Sequence, residues 1–148
     1  MRYLRFHSLL YDTFIEACAS CVGTPFLHQG RLPGRRGGLD CVGLLMYGLE
    51  VAGHRVIEPE PYCMIPSCSA LTAAMTSLFE VEDRNIAPQY GHLLQVVPPR
   101  QEQPTHLAIV LSDGRWLHAL WRRGVVIQSP PRWHVAAMYR LGEDAWPQ

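Results

Sequence analysis

The sequence predicts an α+β fold in which N-terminal helices pack on a C-terminal antiparallel β-sheet. Apolar residues recur at helical spacing in the first half of the chain, whereas short apolar runs bounded by Gly, Pro or Asp fill the second half. The period changes once, after residue 81. Helices that precede strands, instead of alternating with them, favour an α+β fold with an antiparallel sheet.

Length and composition set the class of protein. The chain has 148 residues, and we predict a single domain over residues 1–148. Hydrophobic residues make up 48% and charged residues 18%, which is globular composition. The formal net charge is zero, so we expect no nucleic-acid partner. The short basic run "RLPGRR" is interpreted as a solvated loop.

Targeting and membrane signals are absent from the sequence pattern. No apolar run reaches the length of a membrane span, so we expect no membrane-spanning segment. The N-terminal "MRYLRFHSLLYD" lacks the long apolar region and small-residue cleavage site of a signal peptide. We therefore expect synthesis in the cytoplasm without a signal peptide.

Three helices are predicted from the apolar spacing and its punctuation. The first lies within residues 11–23 and the third within residues 67–81, and residues 24–38 form a glycine- and proline-rich loop. The second helix begins near Cys41, and Gly53 is its expected C-terminal cap. One face of this helix carries Cys41, Leu44, Leu45, Gly48, Leu49 and Ala52.

Five short strands are predicted in the second half of the chain. They occupy residues 92–97, 105–111, 115–120, 124–129 and 135–141. Each is short and apolar and is bounded by Gly, Pro or Asp, which is typical of strands.

Cys41 stands at the predicted start of the second helix, in "GGLDCVGLL". A helix N-terminus lowers the pKa of a thiol, and its free N–H groups can hold an oxyanion. Cysteine is also among the most buried residue types, and Cys41 belongs to the apolar face of its helix. This stretch alone is compatible with Cys41 as a nucleophile and with Cys41 as a core residue. A nucleophile needs a base, so the positions of the histidines decide between the two roles.

The stretch "THLAIVLSDGRWLHAL" predicts a hairpin that carries two histidines. A two-residue turn would set His118 opposite Ile109 and place the histidines on opposite faces. A three-residue loop of residues 112–114 sets His118 opposite Ala108, diagonal to His106 on the same face. We favour the three-residue loop because Gly114 suits its left-handed position.

The two histidines on one face supply the partners that a nucleophilic thiol requires. His106 is then the candidate base for Cys41, and His118 is the candidate residue that orients His106. We also expect the small Ala108, on the same face, to let the tip of the Cys41 helix lie close.

Several segments together resemble the NlpC-type cysteine peptidases of bacterial cell walls, which are papain-like. They are "GTPFLHQGRLPGRRGGLDCVGLL", "GHLLQVV" and "HLAIVLSDGRWLHA", and the resemblance covers residues 11–141. It implies a papain-like fold with Cys41 as nucleophile, His106 as base and His118 as the third polar residue. It implies hydrolysis of peptide bonds in peptidoglycan stem peptides, commonly after D-glutamate. The glycine-rich variant particularly resembles short members found in phage-tail and gene-transfer-agent clusters.

The resemblance also implies candidate substrate-binding residues, and at some positions the sequence differs from the family pattern. Asp40 matches the family aspartate that can contact a substrate amine, although it is equally a plausible helix N-cap. Phe26 stands where the family has a cleft tyrosine and carries no hydroxyl, and His28 is the candidate replacement donor. Val42 stands where serine is common, and His92 follows Gly91 where aspartate is usual.

The four remaining cysteines raise the question of a metal site. Cys18 and Cys21 form C-x-x-C, with Cys63 and Cys68 further along. A zinc site is conceivable, but the first two share an apolar helical stripe, which packing explains better. We expect no metal and no cofactor.

The sequence thus predicts a cysteine endopeptidase that acts on peptidoglycan peptides, with phage tail proteins as further candidate partners and the virion tail or host cell wall as the site of action. Two alternatives stay open. One is a non-catalytic or weakly active structural tail component on the same fold, and the other is an acyltransferase or amidase that uses the same triad.

Overall fold

The computed structural model describes residues 2–54, 56, 59, 61, 62 and 68–141. These residues form three helices and eight strands. The helices are α1 (Arg2–Ala19), α2 (Cys41–Val51) and α3 (Cys68–Leu78). The strands are β1 (Arg31–Leu32), β2 (Gly38–Leu39), β3 (Glu80–Glu82), β4 (Leu93–Val97), β5 (His106–Val110), β6 (Trp116–Leu120), β7 (Gly124–Gln128) and β8 (His134–Arg140). The predicted α+β class is confirmed.

Six strands form one antiparallel sheet in the order β3-β8-β4-β5-β6-β7. The β5–β6 hairpin pairs Ile109 with Leu117, which is the register predicted for the three-residue loop. The N–H of Leu111 donates to the carbonyl of Arg115 at 2.9 Å, and Gly114 has a φ of +84°. A left-handed residue at that point requires glycine, so the predicted loop is confirmed.

The two faces of this sheet bury different sets of side chains. Leu107, Ile109 and Leu117 pack in one cluster with α1 and α2. Ala108 belongs to the other cluster, with Leu94, Val96, Val110, Trp116 and Met138. Since alternate residues of a strand point to opposite faces, Ala108 faces away from α2. The expectation that Ala108 makes room for the helix tip is therefore wrong.

Helix α2 begins where the sequence predicts and is held at both ends. Asp40 is the N-cap, with extended backbone, and its carboxylate accepts the N–H of Gly43 at 2.8 Å. At the other end Gly53 has a φ of +90°, and its N–H donates to the carbonyl of Glu50 at 3.0 Å. Behind this fixed tip, the side chains of Leu44 and Leu45 are buried against α1 and the sheet, as the apolar face predicts.

Three features differ from the local pattern. Helix α1 begins before residue 11 and ends at Ala19, where two turns follow. The loop predicted over residues 24–38 contains most of the small β1–β2 hairpin. The end of the third predicted helix is instead β3, whose Val81 pairs with Tyr139. That pairing joins residues far apart in sequence, which apolar spacing within one segment does not reveal.

The first two cysteines of the chain are core residues. Cys18 and Cys21 are free and buried in the cluster that also holds α2. The packing interpretation is confirmed for both, whereas Cys63 and the Cys68 side chain lie outside the described residues. None of the described helices combines the length and the apolar character that crossing a membrane requires.

Candidate active site

A cavity of about 530 Å³ lies at the N-terminus of α2, between that helix and the ends of β5 and β6. Cys41 and His106 both line it, and so do Phe26, Asp40, Tyr62 and Trp133. The structure therefore brings the predicted nucleophile and the predicted base to one cavity. Phe26 and Asp40, from the predicted substrate-binding set, lie there as well.

The Cys41 thiol is buried, with 8% of the residue exposed. Burial, and after it the neighbouring Asp40 charge, raise its pKa to about 12. The backbone N–H groups of Leu107, Val42 and Cys41 itself lower it, in that order. The helix N-terminus thus acts in the expected direction but is outweighed. The expectation of a lowered thiol pKa is wrong for the resting site, which holds a neutral thiol.

His106 and His118 are in direct contact. Nε2 of His106 lies 2.9 Å from Nδ1 of His118. Burial, and after it the neighbouring His118, lower the pKa of His106 to about 3. Burial likewise lowers the pKa of His118 to about 4, and this side chain has no exposed surface. Both imidazoles are therefore neutral near pH 7, and Nδ1 of His106 is the ring nitrogen left for the thiol proton.

Gln128 is a polar neighbour of this pair that the sequence reasoning missed. Its side chain interacts with His118 and raises the pKa of that ring, against the larger effect of burial. Nε2 of His118 is otherwise buried without a hydrogen-bond partner of standard geometry among the described residues. An amide oxygen at Nε2–H leaves Nδ1 of His118 to accept from His106, which sets the tautomer that a base needs. The strand pattern could have indicated Gln128. His118 pairs with Val126 on β7, and Gln128, two residues further along β7, points to the same face of the sheet.

Asp40 is fully engaged by its own chain. One oxygen accepts from the N–H of Gly43 at 2.8 Å and from Arg31 Nη1 at 3.2 Å. The other accepts from the N–H of Gln29 at 2.9 Å and from the Tyr62 hydroxyl. A carboxylate offers about four acceptor positions, and here each is used. Of the two roles left open for Asp40, the structure shows the N-cap, and a substrate amine would have to displace a present donor.

Tyr62 brings a phenol to the cavity that already holds Phe26. Its hydroxyl donates a hydrogen bond to Asp40 and accepts one from Arg31 Nη2 at 3.1 Å. Tyr62 therefore places a hydroxyl near the position where Phe26 lacks one. His28 is not among the lining residues; its ring stands edge-on to Tyr62 with centroids 5.3 Å apart. A substrate role for His28 stays a prediction.

The basic run within the glycine- and proline-rich loop contains two kinds of residue. Arg35 and Arg36 are exposed, as a solvated loop predicts. Arg31 is half-buried and forms an ion pair with Asp40, so the solvated interpretation is wrong for this residue. The sequence pattern does not distinguish Arg31 from Arg35 and Arg36. Arg31 meets Asp40 because the β1–β2 hairpin pairs Arg31 with Leu39, the residue before Asp40.

Three comparisons with known proteins bear on this site. No protein-family model matches the chain, and no curated protein matches it. Among solved structures, the P60 domain of an antigen from M. avium paratuberculosis superposes with a TM-score of 0.64 at 19% identity, covering 95% of this chain and 99% of that one. The chain therefore has the NlpC/P60 fold.

Two further neighbours share this fold. RipD from Mycobacterium tuberculosis, described as a non-catalytic NlpC/p60 domain protein adapted to peptidoglycan binding, gives a TM-score of 0.56 at 19% identity, covering 88% of this chain and 96% of that chain. A protein from Staphylococcus aureus similar to lipoproteins of the NLP/P60 family gives 0.59 at 20% identity, covering 89% of this chain and 41% of that chain.

A fold that includes a non-catalytic protein does not by itself decide catalysis, so the side chains must. Among the described residues, no group of three or more His, Cys, Asp or Glu side chains is placed to hold a metal ion. The cavity brings together a buried thiol and a neutral imidazole.

Proposed function

We propose that this protein is a cysteine peptidase that hydrolyses amide bonds in peptidoglycan stem peptides. The observation that carries the proposal is the shared cavity, where Cys41 at a helix N-terminus and His106, backed by His118, face one space. The peptidoglycan substrate rests on the fold and on the sequence resemblance. Action at a virion tail or host cell wall, with tail proteins as partners, is part of the proposal and rests on the resemblance of the glycine-rich segment.

The ionisation of the resting site favours proton transfer during attack over a standing ion pair. As Sγ of Cys41 bonds to the substrate carbonyl carbon, Nδ1 of His106 takes the thiol proton. The negative charge then moves to the carbonyl oxygen, where the N–H groups at the start of α2 are the available donors. His118 keeps His106 oriented through the 2.9 Å contact.

Breakdown of this intermediate completes the reaction. The carbon–nitrogen bond breaks, and the departing amine takes the proton from His106. Water then attacks the thioester, His106 accepts a proton from that water, and the acid is released as the thiol is restored. No other reactant is needed.

The decisive experiment is digestion of purified peptidoglycan followed by mass spectrometry of the soluble muropeptides. The wild type is expected to release cleaved stem peptides with new free amines, and Cys41→Ala is expected to release none. Cys21→Ala is the matched control because Cys21 is a buried core cysteine that does not line the cavity. Identical products from wild type and Cys41→Ala, with both folded by circular dichroism, would overturn the proposal.

A second candidate is a non-catalytic peptidoglycan-binding protein. The neutral thiol and the low pKa of His106, about 3, favour it, because neither group is ionised at rest. It predicts that the wild type sediments with insoluble peptidoglycan and releases no muropeptide. An acyltransferase would form the same thioester and differ only in passing the acyl group to an amine instead of water.

A further inference from the structure

The cavity has two charged lining residues among those described, Asp40 and Arg123, and they differ in how far they are paired. Both oxygens of Asp40 already accept two hydrogen bonds each, and Arg31 balances its charge. Asp40 therefore presents no spare acceptor to a cationic group of a substrate.

Arg123 is in the opposite state. Its side chain is exposed, and its hydrogen bond from Nη1 to Oε1 of Gln128 is long at 3.5 Å. Arg123 forms no ion pair with another of the described residues. A guanidinium has five N–H donors and binds carboxylates through two of them at once, so most of this capacity is free.

The loop that carries Arg123 is held in place. Leu120 pairs with Gly124 across the β6–β7 hairpin, and the N–H of Arg123 donates to the carbonyl of Leu120 at 3.1 Å. A side chain on Gly124 would approach the Thr24 carbonyl to 2.3 Å, so glycine lets the hairpin tip lie against that segment. The N–H of Val125 donates to the same carbonyl at 2.9 Å. Arg123 thus lies on an anchored turn at the wall of the cavity.

The neighbouring residues show where its charge acts. Trp121 lines the cavity at 61% exposure, whereas the Arg122 guanidinium stacks 4.3 Å from the centroid of its ring. The Arg123 charge reaches the histidine pair, since it lowers the pKa of His118. An anion held at Arg123 would therefore lie at the side of the cavity formed by the hairpin tip.

We propose that Arg123 forms a subsite for a substrate carboxylate next to the scissile amide, so that the protein selects acidic stem peptides over their amidated forms. This inference rests on the proposed function for its substrate. Electrostatic complementarity supports it, because the cavity combines a cation that has no ion pair within the described part of the chain with a carboxylate that Arg31 already balances.

The experiment compares two synthetic stem peptides that differ in one group. One carries a free D-glutamyl α-carboxylate, and the other has a carboxamide at that position. Binding is measured by isothermal titration calorimetry to the Cys41→Ala protein, which cannot turn them over. We expect the carboxylate peptide to bind about tenfold more tightly, as one charge-assisted hydrogen bond of a guanidinium provides.

Two added substitutions assign this preference. In the Cys41→Ala background, Arg123→Gln is expected to bind both peptides equally, whereas Arg122→Gln retains the preference. Arg122 is the matched control because it has the same charge in the same turn and does not line the cavity. Equal binding to the parent protein, no binding of either peptide, or a preference that survives Arg123→Gln would each overturn the inference.

Cleavage is scored separately with the wild type. A preserved binding preference without cleavage contradicts the peptidase proposal and leaves the subsite standing. Cleavage of both peptides with equal kcat/KM contradicts the subsite and leaves the peptidase standing.

Discussion

Two polar clusters, one around Asp40 and one around His106, reach the cavity and are built in opposite ways. On the helix side, the Asp40 carboxylate accepts four hydrogen bonds and is paired with Arg31. On the sheet side, two neutral imidazoles share one contact, and Nε2 of His118 lacks a partner of standard geometry among the described residues.

The difference separates a structural cluster from a chemically active one. A carboxylate with every acceptor position used is fixed, and removing it leaves buried donors unpaired. Nδ1 of His106 has an unused lone pair and can therefore take a proton. We therefore expect the Asp40 side to determine folding and the histidine side to determine rate.

The largest expected effect is on the sheet side. Substituting His106→Gln removes the proton acceptor while keeping a polar side chain, so we expect kcat on a stem peptide to fall about 1000-fold, within the usual range for a lost general base. His134→Gln is the matched control because His134 is exposed at the start of β8, and it should retain full activity. A His106→Gln protein that keeps more than about a tenth of kcat would contradict the role of base.

The next effect is on the helix side. Asp40→Ala removes the N-cap and leaves the donors of Arg31 and Tyr62 without their acceptor. We expect the free energy of unfolding, measured by urea denaturation, to fall by about 3 kcal/mol. Asp113→Ala is the control: the Asp113 carboxylate is half exposed and, among the described residues, pairs with Arg115 alone, so its loss should cost far less. Equal losses for the two variants would show that the Asp40 cluster is not structural.

The smallest effect appears as a pH dependence. His118 titrates near 6.5 when unfolded and near 4 when folded, so between these values the unfolded state binds a proton that the folded state does not. Stability is therefore full above about pH 6.5 and falls as pH is lowered towards 4. Each such histidine contributes a slope of up to about 1.4 kcal/mol per pH unit.

The variant His118→Gln isolates this contribution. Urea denaturation of the variant and wild type at several pH values between 6 and 4.5 should show a shallower slope in the variant, by up to about 1.4 kcal/mol per pH unit. Parallel slopes would mean that His118 is not held neutral by burial.

The sequence was sufficient for the features that depend on local pattern. The α2 start at Cys41, its Gly53 end and the five apolar strands follow from spacing and caps within a few residues of one another. The pairing register of His118 follows from the glycine in one short loop. These determine where the thiol and the imidazoles lie.

What the sequence did not show depends on contacts between distant segments. Tyr62 lies 22 residues from Asp40 along the chain, in a stretch with no periodic pattern. Burial of Cys41 under the end of β5 outweighs the helix N-terminus in setting its pKa, and burial is a property of the assembled fold. The register places Ala108 on one face of β5 with His106, but it does not say which face of the sheet α2 covers, and α2 packs on the other face.

The loop of residues 112–114 has a consequence for how such chains diverge. Side chains alternate along a strand, so gaining or losing one residue in this loop would turn His118 to the face that carries Leu117. Every amino acid of the two strands would be unchanged, yet the imidazole pair would be gone. Loop length therefore determines this site as strictly as residue identity does, and an alignment that tolerates a single gap there would group proteins whose chemistry differs.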